Sequence, residues 1–151
     1  MRIALAWVLA GCAYQPGSFT YSAHDFTGQR ATVGCLDIAI ERRADASIGP
    51  VLDFQFANRC DHAAVVDLGA VAVVGHGPDG GEIALRPFDP RAELHPAALD
   101  GRSVGTEALA YPSARAVPQI CADAAALVHA SPPRWLCFGA QAVAPAAGGA
   151  P

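Results

Sequence analysis

The sequence predicts an all-β chain, an immunoglobulin-like antiparallel β-sandwich closed by two disulfides. Three observations carry that expectation. Short segments alternate apolar and polar residues with period two, as strands that bury one face do. Clusters of Gly, Pro, Asp and Ser punctuate the chain between them, at the spacing of a sandwich. Four well-separated cysteines, Cys35, Cys60, Cys121 and Cys137, lie inside this region, with a fifth, Cys12, apart from them near the N-terminus.

In chain order, residues 36–41 form the first clear strand, with Leu36, Ile38 and Ile40 alternating against Asp37 and Glu41. Residues 44–50, with Asp45, Ser47 and Gly49, are its turn, and residues 52–56 alternate again through Leu52, Phe54 and Phe56. Both strands are expected to bury one face and wet the other. Arg42 and Arg43 then read as a solvated strand end. A polar loop follows at Asn58, Arg59, Cys60, Asp61 and His62. Residues 64–74 are one long apolar strand with Gly69 at a bulge or bend. Residues 75–81 are turn chemistry, residues 82–88 a strand, and residues 89–101 a loop that docks Leu94 and Leu99. Further strands are expected over 103–111 and 117–120. Residues 122–130 favour a short helix that Ser131, Pro132 and Pro133 break, before a last strand at 134–138. Residues 13–30 read as a tether that packs Phe19 or Phe26 on the domain, and residues 141–151 as a disordered tail.

The N-terminus sets the compartment. Arg2 precedes an apolar run from Ile3 to Ala10, and the run closes on small residues, the layout of a secretory signal. The four residues Leu9, Ala10, Gly11 and Cys12 resemble the lipobox of bacterial lipoproteins. Eleven residues precede Cys12, which is short for such a signal, and a membrane span needs about 20 apolar residues. The resemblance implies that residues 1–11 are removed, that Cys12 is lipidated, and that the acyl chains hold the protein at a membrane. Ala13, where an Asp would favour inner-membrane retention, implies the outer membrane. The expected layout is a signal peptide at 1–11, a tether at 12–30, a β-domain at 31–140 and a tail at 141–151. The chain resembles small outer-membrane lipoproteins of GC-rich Gram-negative bacteria, specifically over residues 9–12 and only in architecture over 35–140, a resemblance that carries no known activity.

In that compartment four cysteines imply two disulfides. If the turn centres near Ser47, Leu36 faces Phe56 or Ala57, and Cys35 and Cys60 share the open end of the hairpin. Cys35–Cys60 is therefore expected, with Cys121–Cys137 by elimination. The spacing contains no C-x-x-C pair, which disfavours zinc ribbons and thioredoxin-like sites.

Composition excludes some functions. All ten basic residues are Arg, against fourteen carboxylates, and none form the cluster that nucleic-acid binding requires. Gly75, Gly77 and Gly80 satisfy a G-x-G-x-x-G fingerprint, but turn residues lead into a strand rather than a helix N-terminus. Gly101, Ser103 and Gly105 satisfy G-x-S-x-G, which needs a strand before, a helix after and a large α/β sheet. A hydrolase using Ser103, with Asp123 and His129 following in order, is the weakest reading. His24, His62, His76, His95 and His129 lack metal-site spacing, and no metal or cofactor is expected. Asp37, Glu41, Asp53 and Asp67 read as the wet faces of strands rather than catalytic pairs. No catalytic residue is assigned. The best contact surface is the loop of Asn58, Arg59, Asp61 and His62, extended by Asp89, Arg91, Glu93 and His95, because sandwiches bind through loops. The reading is a non-catalytic envelope module that binds a protein or glycan partner. The alternative is a periplasmic binder of a small molecule or metal.

Overall fold

The computed structural model describes residues 28–88 and 94–139. The lipobox, Cys12, most of the tether, Asp89, Arg91, Glu93 and the tail lie outside them. The strands are β1 (Gln29–Val33), β2 (Leu36–Arg43), β3 (Val51–Asn58), β4 (Ala64–Val66), β5 (Val73–His76), β6 (Glu82–Leu85), β7 (Ala97–Leu99), β8 (Val104–Ala110), β9 (Gln119–Asp123) and β10 (Trp135–Gly139). They form two four-stranded sheets, β1-β2-β3-β8 and β10-β9-β5-β6, and a two-stranded β4-β7 ladder. Every pairing is antiparallel. The all-β expectation holds, with two sheets contributing to one core in a sandwich-like arrangement.

The differences from the sequence reading have local causes. A strand precedes the first expected one: β1 begins at Gln29, inside the expected tether, and turns into β2 at Gly34, where φ is +60°. The apolar run at 64–74 is two strands. Asp67 Oδ1 accepts hydrogen bonds from the N–H groups of Gly69 and Ala70, at 3.0 and 3.2 Å, so the chain turns there instead of continuing a ladder. Strand β6 stops at Leu85, and Phe88 makes an isolated bridge to Ala110 of β8. Strand β7 lies in the expected loop at 89–101, paired with β4. The segment at 122–130 belongs partly to β9 and otherwise holds only a 3₁₀ turn, Ala126–Val128, which His129 ends at φ +52°.

The core draws on both large sheets. Leu36, Ile38, Ile40, Leu52, Phe54 and Phe56 on one side meet Val73, Leu85, Ile120, Ala122, Leu136 and Phe138 on the other. Their rows follow strand parity: Ile38 opposes Phe56, and Ile40 opposes Phe54. At the edge of the sandwich, the β1 residue Gln29 reaches β10. Its side-chain amide donates to the Cys137 carbonyl and accepts from the Cys137 N–H at 3.2 Å. Both main-chain groups of Cys137 therefore face away from β9 and are satisfied by one side chain.

Strand β2 corrects the expectation that one face is wet. Asp37 and Arg42 are each 5 % exposed, and Ala39 is fully buried. Asp37 is held by Thr32 Oγ1 at 2.8 Å and by Arg59 Nε at 3.2 Å. Arg42 continues the inward row of Leu36, Ile38 and Ile40, so it is not a solvated strand end. Its guanidinium donates to the carbonyls of Val117, Pro118 and Phe138 at 3.0, 3.2 and 3.3 Å. Burial pulls its pKa down from the ordinary value. Arg43, on the opposite face, is half exposed and pairs with Asp53 at 3.0 Å.

The two adjacent arginines should therefore separate sharply in stability. Arg42→Ala strands the carbonyls of Val117 and Pro118, removes a second donor from that of Phe138, and is expected to cost about 3 kcal/mol in urea denaturation. Arg43→Ala removes a surface pair and should cost less than about 1 kcal/mol. Equal effects would contradict the inward placement of Arg42.

Candidate functional site

The expected contact loop follows β3 directly, and the β2–β3 register fixes where it starts. Leu36 opposes Asn58, one or two residues beyond the partners expected from a turn at Ser47. Cys35 and Cys60 lie at the open end of the hairpin, joined with Cα atoms 5.6 Å apart. Cys121 and Cys137 are directly opposed on β9 and β10 and joined at a Cα distance of 4.0 Å. Both pairings are those the sequence predicts.

The loop itself divides in two. Asn58 is fully buried, which corrects its assignment as a contact residue. It closes the same inward row as Leu36, where a polar side chain must satisfy itself internally. Its Nδ2 donates to the carbonyls of His62, Leu99 and Asp100 at 2.8, 3.0 and 3.1 Å. Its Oδ1 accepts the Cys60 N–H at 3.0 Å. Arg59 is likewise structural: besides Asp37, it donates to the Gly34 carbonyl at 3.3 Å. Its own N–H bonds the Cys35 carbonyl at 2.9 Å.

The turn before β8 is tied to this loop by main-chain bonds. The Asn58 N–H donates to Ser103 and the Arg102 N–H to Cys60, both at 2.9 Å. Gly101 permits the approach, because a Cβ there would lie 2.5 Å from the Asp61 carbonyl carbon. The G-x-S-x-G match is thus a turn entering a strand, with no following helix. Ser103 Oγ donates to the Asp100 carbonyl at 2.6 Å, and His129 Nε2 sits 3.2 Å from Asp67 Oδ2. The glycines at 75, 77 and 80 belong to the β5–β6 hairpin, where Gly77 N–H reaches the Gly81 carbonyl at 2.9 Å.

What the loop presents outward is Asp61 and His62, with side chains 88 % and 74 % exposed and 3.0 Å apart. The hydrogen bond with His62 holds the Asp61 carboxyl below its ordinary range. His95 is also exposed. Among the described residues no three His, Cys, Asp or Glu side chains converge as metal ligands. Cys60 is committed to its disulfide.

A second surface was not anticipated. A groove of about 610 Å³ is lined by Val71, Val73, Val74, Leu85, Pro87 and Leu94, with Arg86 beside them. Its apolar residues were visible in the sequence, but the reading of 64–74 as one strand hid their convergence. Trp135, Ile83, Phe88 and Val65 add scattered exposed apolar side chains.

No protein-family model, curated protein or solved structure matches the chain. No helix among the described residues is long and apolar enough to cross a membrane.

Substitutions separate the two halves of the loop. Asn58→Ala leaves the carbonyls of His62 and Leu99 and the Cys60 N–H without this side chain, while the Asp100 carbonyl keeps Ser103 Oγ, and should lower unfolding free energy by about 2–3 kcal/mol. Gly101→Ala should cost about 1–3 kcal/mol through overpacking. Asp61→Ala, on the surface, should stay within about 0.5 kcal/mol. Chemical denaturation measures all three, and a neutral Asn58→Ala would contradict the structural role.

Proposed function

We propose that the chain is a lipid-anchored envelope lipoprotein whose β-domain acts by binding or structural contact, not by catalysis. The lipobox at Leu9, Ala10, Gly11 and Cys12 would supply the anchor, and Ala13 favours the outer membrane. The observation that carries the reading is the pair of disulfides, Cys35–Cys60 and Cys121–Cys137, which suit an oxidising envelope compartment such as the periplasm. A membrane contact through Cys12 needs more than one acyl chain to be stable, each methylene adding roughly 0.8 kcal/mol.

Within this reading the domain is of the immunoglobulin-like class, on the strength of two four-stranded antiparallel sheets around one core. Its strand order is particular, with three consecutive strands, β1, β2 and β3, side by side in one sheet. Asp61 and His62, carried on a rigid base, suit contact with an envelope protein or glycan. The groove beside Leu85 and Leu94 favours a second reading, a periplasmic small-molecule binder, since its volume is in the range of ligand pockets.

Intact mass of the protein extracted from membranes tests the anchor and the compartment together. The expected mass begins at Cys12 with acyl chains added, and four thiols label only after reduction. A mass that retains Met1, with thiols reactive before reduction, would sink the lipoprotein reading.

A further inference from the structure

Among the described residues, the outer edges of β1, β10 and β8 are each engaged at one point, and that of β6 has no strand beside it. Strands β1 and β10 meet through Gln29. Strand β8 carries the Phe88 bridge at Ala110, where the Phe88 N–H donates to the Ala110 carbonyl at 2.7 Å. Strand β6 ends its sheet with no partner on its outer side among the described residues. Glu82, Ile83 and Ala84 are all exposed, Ile83 by 54 %.

The direction of the free groups on β6 follows from the disulfide pair at the far side of the sheet. Main-chain N–H and C=O groups of one strand residue point to the same side, and the side alternates along and across an antiparallel sheet. Those of Cys137 face Gln29, away from β9, so Cys137 and its partner Cys121 are a pair not joined by main-chain bonds. Cys121 therefore bonds toward Val74 on β5, and Val74 bonds back toward Cys121. Val74 opposes Ala84, which leaves the N–H and C=O of Ala84 and of Glu82 pointing off the free edge, and Arg86 follows the last strand residue, Leu85, by one position.

We propose that β6 is a self-association edge, pairing antiparallel with β6 of a second copy of this chain about a two-fold axis at Ala84. The side chains fit this register. With Ala84 opposite Ala84 of the partner copy, Glu82 of each copy faces Arg86 of the other, and Ile83 faces Leu85. Side-chain parity excludes the registers shifted by half a step, because inward residues would then oppose outward ones. Centring on Ile83 would place Arg86 opposite the turn residue Gly80, and centring on Leu85 would draw Pro87 into the ladder. Only the Ala84 register matches opposite charges across the strands. Arg86 is exposed and has no ion-pair partner among the described residues, while Glu82 keeps a long contact of 3.8 Å to His76. A net charge of −4 opposes indiscriminate association, so the pairing depends on this local match. The contact is short relative to stable interfaces of about 1,200–2,000 Å², so the dimer is weak and reversible.

Sedimentation of the purified full chain from micromolar to millimolar concentration tests it. A monomer–dimer equilibrium is expected, weakened about tenfold by Glu82→Arg or by Arg86→Glu and restored by the double reversal. As an independent trap, Ala84→Cys should crosslink two copies on mild oxidation faster than Asp79→Cys, since opposed Cα atoms at about 5.5 Å suit a disulfide. Cys12 is common to both trap variants and cancels in their comparison. Monomers up to millimolar, a double reversal that behaves like the single ones, or equal crosslinking of the two cysteine variants would each overturn the proposal.

Discussion

The guanidinium of Arg42 governs how the two large sheets meet. Its position in the inward row of β2 places a charge where another Leu or Ile would extend the core. The charge is tolerated because three main-chain carbonyls from the far sheet and the segment before it converge on the side chain. The carbonyls of Val117 and Pro118, which precede β9, gain a donor that no antiparallel ladder supplies, while that of Phe138, on the bonded side of the β9–β10 pair, shares the guanidinium with its ladder partner. Arg is the side chain suited to this work, with five N–H donors in a planar fork and a charge that survives burial. The consequence is a fixed relation between β2, the entry to β9 and the end of β10.

Asn58 performs the matching task at the other end of the β2–β3 hairpin. Between these two polar ends lie Ile38, Ile40, Phe54 and Phe56, so the apolar rows are bounded by satisfied hydrogen-bond groups. The Cys35–Cys60 disulfide closes the same end covalently, worth roughly 3 kcal/mol in the chain-entropy model for a loop of its length. Asp37, Arg59 and Thr32 complete the closure on the outer face. The exposed pair of Asp61 and His62 thus follows a loop segment held by side-chain and main-chain bonds. In the proposed contact role, a base held in this way would lower the entropy lost on binding.

Much of this was legible in the residues. The alternation of Leu36, Ile38 and Ile40 located β2, and the hairpin geometry located the Cys35–Cys60 pair. Extending that parity by one step puts Arg42 inside, but a dibasic pair beside Glu41 and Asp45 argues for solvent, and the composition signal outweighed the periodicity. Asn58 was misplaced for a related reason: polar residues near a disulfide read as a loop, whereas its burial depends on carbonyls more than forty residues away in sequence. Strand β1 was missed because Arg30 and Thr32 dilute its pattern, and its pairing with β2 is a tertiary fact. The Asx turn at Asp67 shows local side-chain chemistry overriding apolar propensity across Val65 to Val74. The surfaces available for recognition were legible only in part, because the groove beside Leu85 forms from segments that no sequence pattern joins.

Native-state amide hydrogen exchange on the oxidised protein tests most directly whether these polar ends clamp the domain. The N–H groups of Asn58, Arg59 and Arg102 are each bonded across the loop at 2.9 Å. Their exchange should require global unfolding and match that of Ile38 in the core, while Asp61 exchanges far faster. Exchange of Asn58 and Arg102 at the rate of Asp61 would contradict the account, because the loop would then open independently of the sheets it is said to hold.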